Sequence, residues 1–114
     1  MNNISRLQLA RTHGIGPVSY RQLIARFGDA ANALDALPNL AQRGGGRSIK
    51  IASRDAIERE MAAVERCGAT YIFSDDCAYP AILSELPSAP IVLIAKGDTA
   101  LMARKMVAIV GARN

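Results

Sequence analysis

The apolar positions of this chain change their spacing part-way along. As far as about residue 67 they recur every three or four residues, the period of helices that bury one face. Beyond that point they gather in short unbroken runs, as strands covered on both faces do. The spacing predicts a first helix over 4–12 carrying Ile4 and Leu7. His13-Gly14-Ile15-Gly16 breaks it, and Pro17 suits the first helical position of the next segment. Tyr20, Leu23, Ile24 and Phe27 form one stripe on a second helix over 18–27. Gly28 closes that helix, and Asp29 caps a third over 30–37. Pro38 is expected to end the third helix, with 40–42 adding a turn at most. Ser53 caps a longer helix over 54–67, with Ile57, Met61 and Val64 inward and Gly68 as its stop.

The later runs read differently. Residues 70–73 form a strand, 74–77 a turn, and Tyr79-Pro80 opens a short helix through 86. Residues 87–90 are extended, 91–95 are a strongly apolar second strand, and Asp98 caps a helical turn over 99–103. Residues 107–110, Val-Ala-Ile-Val, read as a third strand buried on both faces. Such a strand needs neighbours and covering helices. The stretch therefore reads as the opening of a larger parallel sheet, cut where its main domain begins. The expected fold class is α + α/β: a small helical domain over 1–67, then the first strands of a parallel sheet over 68–114.

Charge sharpens this division. The net charge is +4. From Met1 to Gly28 the charges are Arg6, Arg11, Arg21 and Arg26, with no acid. From Ala36 to Arg54 they are Arg43, Arg47, Lys50 and Arg54, again with no acid. From Cys67 onward acids and bases balance, so the excess lies in the helical part. A localised basic excess fits a polyanionic partner, and equally a solvated arginine-rich surface. Cys67 and Cys77 have neither zinc spacing nor disulfide density, which fits reduced thiols in the cytoplasm. Met1-Asn-Asn lacks the basic and apolar regions of a secretory signal, and no stretch is long and apolar enough to span a bilayer.

Three motifs bear on chemistry. Gly14-Ile15-Gly16, followed by Phe27-Gly28, has the spacing of a helix-hairpin-helix. There a glycine turn brings backbone N–H groups to a phosphate, and the next helix's N-terminus adds a favourable dipole. Arg11, Arg21 and Arg47 are candidate contributors of charge. The same glycines also suit a tight helix–helix connection that touches no ligand. Gly111-Ala112-Arg113 follows the third strand, where a dinucleotide fingerprint would carry glycine in the place of Arg113. A standard nicotinamide site is thereby disfavoured. Arg113 instead offers a charged fork, either to a phosphate or to a carboxylate further along the chain. Asp75-Asp76 has no third ligand nearby and reads as a turn and capping pair. His13, the lone histidine, reads as a hinge residue or a neighbour of the glycine turn. No nucleophile–base constellation is visible, and neither a catalytic residue nor a metal or cofactor site is predicted.

Tyr79-Pro80-x-x-Leu83, Pro90-Ile-Val-Leu93, Lys96-Gly97-Asp98 and Val107-Ala-Ile-Val-Gly-Ala-Arg113 follow one another in an order and spacing that resemble the DNA-processing protein A (DprA/Smf) family. Gly14-Ile15-Gly16 with Phe27-Gly28 looks like that family's small helical domain, of the sterile-alpha-motif-like type. The resemblance implies bacterial cytosolic proteins with an extended Rossmann-like domain that binds single-stranded DNA. It implies a role in natural transformation and recombination, protecting incoming strands and helping to load the strand-exchange recombinase. It implies no enzymatic activity, and a homodimer formed through the Rossmann-like domain. The family's Gly-Ser-Arg loop corresponds to Gly111, Ala112 and Arg113, whose arginine contacts DNA phosphate. Ala112 lacks the family's hydroxyl donor, while the arginine is kept. Two other readings stand beside this one. An arginine after the first strand also occurs in enzymes of the nucleotide phosphoribohydrolase type, and the helical domain could be an adaptor for a protein partner.

Overall fold

The computed structural model describes residues 2–44 and 49–112. Local capping explains most of the helix ends. The Asn2 side chain accepts from the Ile4 N–H at 2.9 Å and opens α1 (Asn3–Arg11). α2 (Pro17–Phe27) starts at its proline and stops at Gly28, whose φ of +90° is a conformation that side chains with a Cβ rarely adopt. Asp29 then accepts from the Asn32 N–H at 2.8 Å and begins α3 (Ala30–Arg43). Ser53 accepts from the Ala56 N–H at 3.1 Å and begins α4 (Arg54–Arg66). Each cap satisfies a donor that the first helical turn leaves free.

Pro38 does not end α3, contrary to expectation; the helix runs on to Arg43 with the proline inside it. Proline removes one ladder hydrogen bond and crowds the preceding turn. Here it lies on the exposed side, where water can take up the freed carbonyl. The opposite side carries Ala33 and Leu37 into the core, with Leu40 continuing the same stripe half-buried. That burial favours continuing the helix over stopping it.

β1 (Thr70–Phe73) pairs with β2 (Val92–Ala95), Thr70 opposite Ala95 and Phe73 opposite Val92. The helical domain followed by the start of a sheet is as expected, but this pair is antiparallel where a parallel one was expected. The connecting segment explains the difference. Parallel neighbours need a substantial crossover, usually a helix. α5 (Ala81–Ser84) is a single turn, and the loop closes on itself instead. The Ser74 N–H donates to the Ile91 carbonyl at 2.7 Å, and the Tyr79 hydroxyl donates to the Pro90 carbonyl at 2.6 Å. Within the stretch expected to be extended, the Ala89 N–H bonds back to the Leu86 carbonyl at 3.1 Å and makes a turn. A 3-10 turn over Thr99–Ala103 follows, capped by Asp98 as expected.

The hairpin lies against the helices. One apolar cluster joins Leu9, Tyr20, Ala30, Ala33 and Leu37 to Ile91. A second joins Leu7 and Ile57 to Phe73. α1 supplies both leucines and touches α2, α3 and α4, so it is the central element. Both clusters draw residues from either side of Gly68.

Residues 107–110 do not form the expected buried strand. Val107, Ile109 and Val110 are 89%, 94% and 93% exposed. A strand exists only through hydrogen bonds to a neighbour, and none of the described residues pairs with this run. Unpaired apolar segments of this kind pair with other chains. A chain of residues 1–114 should therefore self-associate at micromolar concentration. Changing Val107 and Ile109 together to lysine should reduce this, as read by sedimentation velocity. A wild-type chain that stays monomeric at all concentrations would contradict the expectation.

Candidate nucleic-acid interface

The helix-hairpin-helix turn is anchored on one side and open on the other. Thr12 is buried; its hydroxyl donates to the Gln8 carbonyl at 2.6 Å and accepts from the Ala52 N–H at 3.2 Å. Gln8 returns a bond to the Ala52 carbonyl at 3.1 Å. These bonds tie the turn to the segment leading into α4. The Ile15 N–H bonds to the Thr12 carbonyl at 3.1 Å, and Ile15 packs toward the helical cluster. His13, Gly14 and Gly16 face solvent. Gly14 has φ +86°, so the turn requires it, and the space beside both Gly14 and Gly16 is open. Gly16 caps α2 without a side chain and Pro17 has no N–H, so the Val18 and Ser19 N–H groups are left without a side-chain cap at the positive end of the helix dipole. The backbone geometry is thus suited to an anion.

The flanking arginines are engaged with other elements of the chain. Arg11 grips Glu60 of α4 with two hydrogen bonds, 2.9 Å from Nε and 3.3 Å from Nη2. The Tyr71 hydroxyl of β1 donates to the same carboxylate at 2.6 Å. Arg21 of α2 donates to the Pro87 carbonyl at 3.2 Å and the Ala89 carbonyl at 2.9 Å. Both arginines therefore brace the helices against the hairpin. Arg47 and Arg113 lie outside the described residues. Gly111 is exposed, with nothing near the position a Cβ would take. The structure brings Gly14, Gly16 and Arg11 close to one turn and leaves Gly111 apart from them in sequence and unpacked.

Several residues that matter here were not singled out by their sequence context. Arg6 of α1 is 8% exposed, pairs with Asp75, and lies over the Phe73 ring at 3.7 Å from its centroid. Its partner is 69 residues away, so no local spacing announces it. Asp75 thus holds a cation, while Asp76 has the turn role expected of the pair, accepting from the Phe73 N–H at 2.7 Å. Arg6, Tyr20, Arg21 and Asp75 border a cleft of about 350 Å³ between the helices and the hairpin. Burial pushes the Tyr20 phenol up, with the Arg6 guanidinium working in the opposite direction. Burial would also raise the Glu60 carboxyl, but the hydrogen bonds from Arg11 and Tyr71 outweigh it and hold Glu60 below its ordinary value. Tyr71 is pushed up to about 12, by burial first and then by its bond to Glu60. Among the described residues no group of three His, Cys, Asp or Glu side chains could hold a metal.

Two outcomes follow from this bracing. A phenol whose folded-state pKa lies above its unfolded one contributes stability that is full below about pH 10 and lost as pH rises toward 12. Glu60 has the opposite sense, its contribution fading as pH falls through the carboxylate range. The melting temperature should thus drop between pH 10 and 12, and Tyr71→Phe should flatten that drop; identical alkaline profiles would remove Tyr71 from the account. Arg21→Ala should destabilise the fold by about 1–2 kcal/mol, within the range for losing partly exposed charge-assisted hydrogen bonds. Urea unfolding measures it, and an unchanged midpoint would show that the loop carbonyls need no brace.

Comparison with known proteins divides the chain near the place where its texture changes. Residues 1–63 match the family described as a DprA-like N-terminal HHH domain. Residues 70–114 match the family described as DNA recombination-mediator protein A. No curated protein matches the chain. With the helical part and the start of the sheet each matched, in order, the chain belongs to the family of DNA recombination-mediator protein A.

Proposed function

We propose that this chain binds single-stranded DNA and serves recombination by protecting the strand and helping to load a strand-exchange recombinase. The observation that carries the reading is the pairing of the two family matches on one chain, the helix-hairpin-helix part ahead of the recombination-mediator part. The open Gly14–Gly16 turn, with the N-terminus of α2 behind it, supports a phosphate contact from the backbone. The acid-free stretches of the helical part support a polyanion. Gly111 and Arg113 are proposed as a second phosphate contact, on the strength of the sequence motif. Glycine lets the chain turn, and the guanidinium can give a phosphate two parallel hydrogen bonds. Arg11 and Arg21 hold the helices and hairpin in place and are assigned no direct contact. The proposed setting is the bacterial cytoplasm during natural transformation, with a second copy of the chain as partner. No helix among the described residues is long and apolar enough to cross a membrane.

Binding built on phosphate contacts weakens steeply with salt and is nearly indifferent to sequence. The test is fluorescence anisotropy of a labelled oligothymidylate at one fixed salt concentration. Arg113→Ala should lose about 1.5–3 kcal/mol, the range for a hydrogen bond to a charged group, or about ten- to a hundredfold in affinity. Arg113→Lys should recover only part, since lysine keeps the charge without the fork. Equal affinities for all three proteins would leave Arg113 as an ion-pair partner.

A further inference from the structure

A groove of about 300 Å³ runs between α2 and the C-terminal half of α3. The α2 wall is Ser19, Gln22 and Arg26, at spacings of three and four and therefore on one face, together with the apolar Leu23. The other wall is apolar, with Leu40 and Ala41 of α3, and Ile49 contributes to the floor. Ile15 also lines the groove, so it opens directly off the glycine turn. One exposed cation lines it, and two more flank lining residues along the chain. Arg26 is on the wall itself, lying over the Phe27 ring at 5.1 Å from its centroid. Arg43 follows Leu40 by three positions and shares its side of α3; Lys50 follows Ile49.

Several of the chain's other arginines are already engaged. Arg6, Arg11 and Arg54 are each paired with a carboxylate, and Arg21 with two carbonyls. Among the described residues, Arg26, Arg43 and Lys50 take part in no ion pair, and neither do Arg59, Arg66 and Arg104, which do not line the groove. The acids of α3 do not compensate: Asp29 is committed to its cap, and Asp35 lies two positions before Leu37, on the other side of the helix. One wall therefore offers charge and hydrogen bonds, the other a smooth apolar surface. A single nucleic-acid strand has the matching pair of edges, phosphates on one side and base faces on the other.

We propose that this groove carries a segment of single-stranded DNA away from the glycine turn, its phosphates along Arg26, Arg43 and Lys50 and its bases against Leu40 and Ala41. The proposal rests on the DNA-binding reading above. Ser19 and Gln22 supply hydrogen bonds without demanding one base, which fits binding indifferent to sequence.

The test uses the full chain and labelled oligothymidylate over a series of salt concentrations. Arg26, Arg43 and Lys50 are changed together to alanine. The control changes Arg54, Arg59 and Arg66 of α4, which removes the same charge elsewhere. The groove variant should lose about tenfold or more in affinity at 0.1 M salt, and its logarithmic salt slope should fall by about 2, three contacts at about 0.7 each for a single strand. The control should move less than about threefold, as expected for distant screened charges. Melting temperatures check that both variants fold. Gln22→Glu, which places an acid on the wall at nearly constant shape, is the second variant and should also weaken binding. Equal losses in groove and control variants, or none in either, would overturn the groove while leaving DNA binding intact. A wild-type chain that does not bind the oligonucleotide would overturn the DNA reading itself. If the groove variant loses binding of poly-glutamate but keeps that of DNA, the groove is a surface for acidic protein segments and the proposal falls.

Discussion

A buried guanidinium sets the terms for the rest of this molecule. Arg6 sits in the central helix with only a small fraction of its surface exposed, between the helical bundle and the hairpin. A charge removed from water is tolerable only when it is paired and hydrogen-bonded, because its desolvation costs several kcal/mol. Neither α2 nor α4 provides its carboxylate. Asp75 does, from the turn after β1, with the Phe73 ring stacked beneath. The helices without the hairpin would leave Arg6 unpaired. The hairpin without the helices would leave Phe73 and Ile91 without most of their apolar cover. The two sequence textures therefore form one cooperative unit.

This division of labour among the arginines reshapes the reading of the basic excess. Counted along the sequence, all the cations of the helical part are equivalent candidates for a polyanion. In the fold they separate. Arg6, buried, and Arg11 and Arg21, nearer the surface, satisfy groups on other elements. Arg26, Arg43 and Lys50 remain on the outside, around a groove that leads off the glycine turn. The second set, like Arg59 and Arg66 of α4, can exchange counterions for phosphates without breaking the fold.

What was legible in the sequence was what local chemistry decides. The caps at Asp29, Ser53 and Asp98, the stop at Gly28 and the start at Pro17 each depend on residues within one helical turn, and each is present. What was not legible depends on distant partners. The pairing of Arg6 with Asp75 and the grip of Arg21 on Ala89 join positions nearly seventy residues apart. Pro38 was misjudged because its exposure, and not its identity, decides whether a helix can pass through it. The strand direction was misjudged for a related reason. The apolar runs at 70–73 and 91–95 mark strands, but the connection decides which way the neighbour runs, and Tyr79 closes that connection back to Pro90. Of the candidate contacts, the glycine turn was legible because Gly14 is needed for its backbone alone.

The hairpin also explains why the helical part is present at all, whatever it touches. A lone two-stranded sheet is marginal in water, because half of its apolar surface has nothing to cover it. Here the inner side is covered by α1 through Leu7 and by α4 through Ile57, and the edges of the connection are held by Arg21. Ile94 of β2, opposite Tyr71 on that same side, stays half-exposed, and Ile82 of α5 and 107–110 are exposed. The helices therefore stabilise one side of the pair, while the other carries the buried Ile72 opposite Leu93. A DNA contact on the far face of α2 and α3 would then be connected to that sheet through α1, whose two leucines join the two clusters, rather than through a flexible linker.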